Sequence, residues 1–315
     1  MDQLVSALRA CGEPTRLRLL ALAARGAFCV VELTEILGQS QPRLSRHLRL
    51  LCDAGLLERV REGSNVWFGL PPEAGLVQEL LARVPEEDPV LAADRRAAAR
   101  VLAERARVAS ESFRKAGSDW DEMKALALPA AEIETALLSL VPEPVGRVLD
   151  IGTGTGRMLE LMAPRIRSGL GVDASRSMLA LARARLSKPG LGHLSVRQAD
   201  MYALPLPQRF DLVLMHMVLH YAEDPVAAVA EAARVLAPGG QLIVVDLAEH
   251  ERAAVADRLA HRWPGFDDGT MTTLMRMAKL TPHTMVSVPG TLEVRLWAAA
   301  APAEAARVNE LELVR

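Results

Sequence analysis

Asp150 ends the apolar run Val148-Leu149-Asp150 and leads into Gly152-Thr153-Gly154-Thr155-Gly156-Arg157, before a helix-like stretch over Met158–Ile166. Glycines at 152, 154 and 156 let the backbone turn tightly off a strand and let a ligand approach with no side chain between. Asp173 closes a second strand-like run, Gly169-Leu170-Gly171-Val172, twenty-one residues after Gly152. A carboxylate there can accept both hydroxyls of a ribose. A third run, Ser195-Val196-Arg197-Gln198-Ala199, delivers Asp200 and Met201 to the same carboxyl edge. This is chemistry for a nucleoside ligand. A nicotinamide dinucleotide fits less well, because the spacing is Gly-x-Gly-x-Gly rather than Gly-x-Gly-x-x-Gly, and Asp150 stands where a pyrophosphate would be repelled. An acid at that point suits a cationic amino group.

A second set of residues could touch nucleic acid. Pro14 before Thr15-Arg16-Leu17-Arg18-Leu19-Leu20 predicts a helix, and Val30–Leu37 predicts a shorter one closed by Gly38. Ser40 is then a candidate N-cap, with Gln41 and Pro42 in the first turn of a helix running through Arg43-Leu44-Ser45-Arg46-His47-Leu48-Arg49-Leu50-Leu51. At 100° per residue Leu44, Leu48 and Leu51 share one face, while Ser45, Arg46 and Arg49 lie opposite and Arg43 flanks them. The stretch Gly55–Leu70 alternates around Gly63-Ser64-Asn65, the pattern of a two-stranded hairpin carrying Arg61. Helix, helix, basic helix and hairpin form a winged helix-turn-helix order. Ser40, Gln41, Arg43, Ser45, Arg46, His47 and Arg49 can then reach base edges and Arg61 a phosphate. Bulk charge adds nothing to this, since residues 1–70 hold nine Arg and no Lys against seven acids.

The chain that must position these groups has 315 residues, half of them apolar, with 37 Lys and Arg against 39 Asp and Glu. That is room for two cored domains, and the balance excludes a disordered chain or a generally basic coat. Pro71-Pro72 and Pro85-Glu86-Glu87-Asp88-Pro89 punctuate the middle, and Val90 to about Ala116 is rich in Ala, Arg and Glu without Gly or Pro. It reads as a long helical connector. From Val145 onward, apolar runs at Val145–Ile151, Gly169–Val172, Phe210–Met215 and Gln241–Leu247 alternate with helix-like segments, which predicts βαβ units and a parallel sheet. Helical stretches to Trp263 and over Met271–Leu280 follow, then a hairpin about Pro289-Gly290. The expected layout is residues 1–72 as the winged helix, 73–116 as a helical linker or dimerisation region, and 117–315 as the α/β domain.

Three cysteines, Cys11, Cys29 and Cys52, all lie in the first fifth of the chain, which speaks for a reducing compartment rather than a disulfide framework. No basic leader opens the chain, and its apolar runs break well short of the ~20 residues of a bilayer span, so a cytoplasmic protein without a membrane partner is expected.

The N-terminal segment resembles the ArsR/SmtB family of winged-helix repressors, through Glu13-Pro14-Thr15-Arg16-Leu17, through Ser40–Leu48, and through the wing. The resemblance implies a homodimer on double-stranded operator DNA. Half-sites one turn, ~10 bp, apart are then expected. Many family members sense metals through Cys-x-Cys, but here the position reads Cys29-Val30-Val31, so no metal site is expected.

Asp150-x-Gly-x-Gly-x-Gly, Asp173, Asp200-Met201, Phe210-Asp211-Leu212-Val213 and Leu236-Ala237-Pro238-Gly239-Gly240 resemble, in order and spacing, class I S-adenosylmethionine-dependent methyltransferases, over roughly 110–300. The implied fold is Rossmann-like, and the implied ligand is S-adenosylmethionine or its demethylated product S-adenosylhomocysteine. Carried over, Asp150, Gly152, Thr153, Gly154 and Gly156 line the methionine moiety, Asp173 with Ala174 holds the ribose, Asp200 with Met201 meets the adenine, and His216 completes the set.

Methyl transfer asks mainly for proximity, and for a base where the acceptor must lose a proton. His216, His220 and Tyr221 are the candidates, and the two histidines, four apart, would share a face on a helix. A histidine in an apolar run also serves as a hydrogen-bonded structural residue. His193, His250, His261 and His283 read as surface or packing. Arsenite methylation needs thiolates beside the cofactor, and no cysteine lies beyond residue 52, which argues against it. Two readings remain. The first is a DNA-binding transcriptional regulator whose methyltransferase-like domain takes an adenosyl ligand as effector. The alternative is an active small-molecule methyltransferase with an autoregulatory DNA-binding head.

Overall fold

The computed structural model describes residues 1–62, 65–71, 74–85, 88–115, 126–188, 190–207, 209–251 and 261–303. The chain opens with α1 (Asp2–Cys11), α2 (Pro14–Ala23), β1 (Phe28–Cys29), α3 (Val30–Leu37) and α4 (Gln41–Asp53). Next come β2 (Glu58–Glu62), β3 (Asn65–Gly69), α5 (Gly75–Leu81) and α6 (Pro89–Lys115), then α7 (Ala130–Leu140) and β4 (Val145–Ile151). The glycine loop leads to α8 (Arg157–Met162), β5 (Ile166–Asp173), α9 (Arg176–Leu186), β6 (Leu194–Gln198) and β7 (Phe210–His216). The remainder is α10 (Pro225–Arg234), β8 (Leu236–Leu247), α11 (Asp268–Met277), β9 (Thr281–Val288) and β10 (Val294–Ala300).

Two compact units emerge, and neither follows chain order. One joins Met1–Glu122 to Gly152–Asp200, the other Met123–Ile151 to Met201–Arg315. The expected divisions at 72/73 and 116/117 fall on or beside residues outside the described ones, as does most of the helical stretch expected before Trp263.

In the first unit, Pro14 sits in the opening turn of α2 and the Glu13 carboxylate caps it, accepting the Arg16 N–H at 2.9 Å. Leu44, Leu48 and Leu51 of α4 are fully buried, as the helical period requires, and join Leu19, Leu20, Leu22, Phe28 and Leu33 in one core. Strands β1, β3 and β2 form an antiparallel sheet in that order, with Val60 opposite Trp67 and Glu62 opposite Asn65. The wing is therefore present, its tip at 63–64 lying outside the described residues. Two elements were not legible in advance: α1, and the two-residue β1 that pairs Phe28 with Phe68.

In the same unit β5 and β6 pair in parallel, Gly169 opposite Leu194 through Asp173 opposite Gln198. The helix expected over Met158–Ile166 is shorter. It ends at Met162, a 3-10 turn spans Ala163–Arg165, and Ile166 already belongs to β5. Pro164 has no N–H with which to continue an α-helix.

In the second unit β4, β7 and β8 run parallel, and β10 and β9 follow antiparallel. The expected final hairpin is present, with Val294 opposite Val288. Strand β8 starts at Leu236 rather than Gln241, so Pro238-Gly239-Gly240 lies inside it. Gly239 takes a left-handed φ of +71°, and the register with β7 shifts between Phe210 and Leu212. The strand order is β6-β5 in the first unit and β4-β7-β8-β10-β9 in the second. Together with the N-terminal elements this is a winged helix-turn-helix followed by a Rossmann-like, mostly parallel α/β fold. No helix among the described residues is long and apolar enough to cross a membrane.

Candidate functional site

In the first unit the glycine loop is fastened to the strand that carries Asp173. The N–H groups of Gly152 and Thr153 both donate to the Val172 carbonyl, at 2.8 and 3.0 Å. Gly152, Gly154 and Gly156 all take left-handed φ, at +72°, +52° and +75°, a conformation that costs an L side chain about 1–2 kcal/mol. The Asp173 carboxylate accepts the Gly154 N–H at 2.9 Å on Oδ2 and the Ser175 N–H at 2.8 Å on Oδ1. It thus ties the loop to the first turn of α9, where the Ser175 hydroxyl accepts the Met178 N–H. Burial pushes the Asp173 carboxyl above its ordinary range, against the pull of those two amides. Thr153 is buried over Gly171, where a Cβ would fall 2.6 Å from its Oγ1. Ala174 and Asp200 are exposed.

At Gly156 a side chain would meet two obstacles. A Cβ there would lie 3.3 Å from the Ala182 Cβ of α9, on top of the left-handed φ. Gly156→Ala is therefore expected to cost about 1–2 kcal/mol and to lower the thermal midpoint by several degrees. Calorimetric melting checks it, and an unchanged midpoint would show that the loop yields freely.

The same unit holds the residues expected to meet DNA. Gly38 closes α3 in a left-handed conformation, with its N–H on the Thr34 carbonyl at 3.0 Å. Ser40 occupies the N-cap position of α4, but its hydroxyl makes no cap bond. Ser40, Gln41, Arg43, Arg46 and Arg49 are exposed along α4, and Ser45 is half-buried. Arg61 is exposed on β2. His47 leans the other way, its Nδ1 3.5 Å from the Glu13 carboxylate and its side chain 14% exposed. The arginine face and the histidine are thus separated on one helix.

In the second unit Asp150 is the penultimate residue of β4 and almost wholly buried, and Met201 is half-buried. His216 and His220 do not share a helix face. His216 is the last residue of β7, Met217 turns the chain with a φ of +51°, and His220 lies in a 3-10 turn over Leu219–Tyr221. The strand period runs through His216, so a helical spacing cannot apply there. His220 is fully buried, with Nδ1 2.6 Å from Oδ1 of Asp246, whose Oδ2 accepts the backbone N–H groups of Leu219 and His220 at 3.0 and 3.3 Å. Its ring lies 4.2 Å, centre to centre, from both Tyr221 and His261. Asp246 and His261 escaped the sequence reading because they stand 26 and 41 residues from His220, with no local spacing to mark them.

Residues 13–59 match the model of bacterial regulatory proteins of the arsR family, and residues 149–244 match a methyltransferase domain. An uncharacterized methyltransferase of Bacillus subtilis, YcgJ, is 34% identical over 101 residues, 32% of this chain and 40% of its own length. A phosphatidylethanolamine N-methyltransferase of Cereibacter sphaeroides is 34% identical over 113 residues, 35% of this chain and 55% of its own. The chain thus spans about half the length of these curated relatives. Among solved structures, the N-methyltransferase NodS of Bradyrhizobium japonicum in complex with S-adenosyl-L-homocysteine is 26% identical, covering 55% of this chain and 87% of NodS, with a TM-score of 0.45. The chain joins an arsR-family helix-turn-helix domain, over 13–59, to a methyltransferase domain, over 149–244.

Proposed function

We propose that this chain is a transcriptional regulator that reads operator DNA as a homodimer in the cytoplasm and takes S-adenosylmethionine or S-adenosylhomocysteine as effector in its methyltransferase domain. The observation that carries the reading is the Asp173 carboxylate, anchored by the Gly154 and Ser175 N–H groups at a loop of left-handed glycines. Such a carboxylate keeps lone pairs for ribose hydroxyls, and the loop leaves open backbone for the methionine moiety. Asp150, Gly152, Thr153, Gly154, Gly156 and His216 would hold that moiety, Asp173 and Ala174 the ribose, and Asp200 and Met201 the adenine. Ser40, Gln41, Arg43, Ser45, Arg46, His47, Arg49 and Arg61 would meet the DNA. Residues 1–72, 73–116 and 117–315 are the reader, the linker and the receptor. The two ligands differ by one methyl and one positive charge, which gives a receptor grounds for discrimination. Calorimetry with each ligand, paired with gel shifts of the full chain, tests this. A DNA affinity that moves with one of them supports it, and identical shifts with and without both would defeat it.

Asp173 also sets a pH dependence. Ribose hydroxyls donate to the ionised carboxylate, and the group's pKa is raised by burial. Adenosyl affinity should therefore hold at neutral pH and weaken on acidification through that raised value, beginning above the ordinary carboxylate range near 3.8. In Asp173→Asn the dependence should flatten. Titration calorimetry from neutral pH downward reads both.

One observation favours the alternative, an active methyltransferase with an autoregulatory head. His220 is held at Nδ1 by Asp246, the arrangement that orients an imidazole to take a proton at Nε2. Transfer of a labelled methyl group to a panel of small acceptors, lost in His220→Asn, would support that reading. Silence across the panel would count against it.

A further inference from the structure

The wing of the DNA-binding head is bonded to the elements that carry the proposed ribose and adenine contacts, and all of these residues lie in the first unit. Arg183 of α9 reaches Glu62, the last residue of β2, with Nη2 2.7 Å from each carboxylate oxygen. The two side chains are 6% and 4% exposed. The Glu62 Oε1 also accepts the backbone N–H of Gln198 at 2.9 Å. Gln198 ends β6, two residues before Asp200. Arg197 pairs with Glu58 at the other end of β2. The Arg183 guanidinium stacks over the Trp67 ring of β3 at 4.0 Å, and Arg105 of α6 lies over the same ring at 4.8 Å. Arg105 in turn donates to the Glu32 carboxylate of α3, the helix that precedes the arginine-bearing α4.

At its other end α9 begins at the Ser175 turn that Asp173 grips. Two helical turns separate that grip from Arg183. Glu62 thus accepts from α9, whose opening turn Asp173 grips, and from the end of β6 two residues before Asp200. An ion pair this deeply buried has discrete made and broken arrangements rather than a gradual one, because neither charge can be left alone out of water. It can serve as the two-state element that energetic coupling between sites requires.

We infer that the Glu62–Arg183 pair, with Trp67 beneath it, couples the adenosyl cradle to the wing, so that effector binding is read at the DNA through α9 and β6. This rests on the effector reading above. Two measurements on the full chain separate the two claims. The first is hydrogen exchange of the wing amides, over 58–62 and 65–69, with and without S-adenosylhomocysteine. The second is affinity for a duplex selected from a random library by the chain itself, again with and without that ligand.

In the natural chain the ligand should change exchange across the wing and shift DNA affinity at least fivefold, the lower range of allosteric coupling. In Arg183→Met, Arg183→Lys and Glu62→Gln, ligand affinity by calorimetry should stay within about threefold, while the wing response and the DNA shift both collapse below twofold. Lysine keeps the charge in place if methionine prevents folding, and the exchange measurement on the unaltered chain needs no variant. A ligand that binds and shifts DNA affinity without altering wing exchange would overturn the coupling and leave the effector reading standing. So would variants that keep the full shift. A changed wing with no change at DNA would defeat the effector reading and leave the coupling in place.

Discussion

Replacing Arg43, Arg46 and Arg49 together by alanine is expected to weaken operator binding by about three orders of magnitude. Each arginine that meets a base or phosphate supplies ~1–3 kcal/mol, and ~1.4 kcal/mol is tenfold. The three are exposed on α4, opposite Leu44, Leu48 and Leu51, so the fold should be undisturbed and the circular dichroism melt unchanged. Anisotropy titrations at several salt concentrations divide the loss. A guanidinium on a phosphate lowers the log–log salt slope by ~0.9 when removed and weakens all sequences alike, whereas one on a guanine edge relaxes selectivity at one base pair. His47→Ala should cost far less at DNA, because His47 is turned to Glu13. Unaltered affinity in the triple variant would show that this helix does not enter the groove.

Asp173→Ala is expected to lower adenosyl affinity by at least ~100-fold. Two hydrogen bonds from ribose to a charged acceptor are together worth ~3 kcal/mol or more. The variant also releases the Gly154 and Ser175 amides that the carboxylate holds at 2.9 and 2.8 Å, so the loop loses its pre-set shape. Asp173→Asn keeps the size and one acceptor oxygen, so it can hold only one of the two amides, and should fall nearer ~10-fold. Titration calorimetry with S-adenosylhomocysteine at neutral pH reads both variants. An Asp173→Ala chain that binds as tightly as the natural one would remove the ribose role.

The features legible in advance were those that local spacing encodes. The leucine face of α4, the left-handed glycines and the acids at strand ends each follow from a period or a turn requirement within a few residues. What escaped was long-range. Nothing in the neighbourhood of Glu62 marks it as the partner of Arg183, 121 residues away, and a single glutamate in a wing strand reads as a solvated charge. Asp246 looked like any polar residue near a strand end until the sheet set β8 beside β7. The misplacement of His216 and His220 had a different cause. A spacing of four was read with a helical period, although the apolar run before it has the character of a strand, and the strand continues through His216. The short elements α1 and β1 were missed because ten and two residues hold too little pattern to outweigh the breakers beside them.

The first unit reaches forward in the chain to collect residues 152–200 before it is complete. A head severed after α6 would keep its helices but strip Glu62 of its cationic neighbour and uncover one side of Trp67 to water. Such a head is a poor cassette for transplantation into chimeric repressors. On the ribosome, likewise, the wing cannot settle into its final surroundings until some two hundred residues have been made, and this ties its maturation to the emergence of residues 152–200.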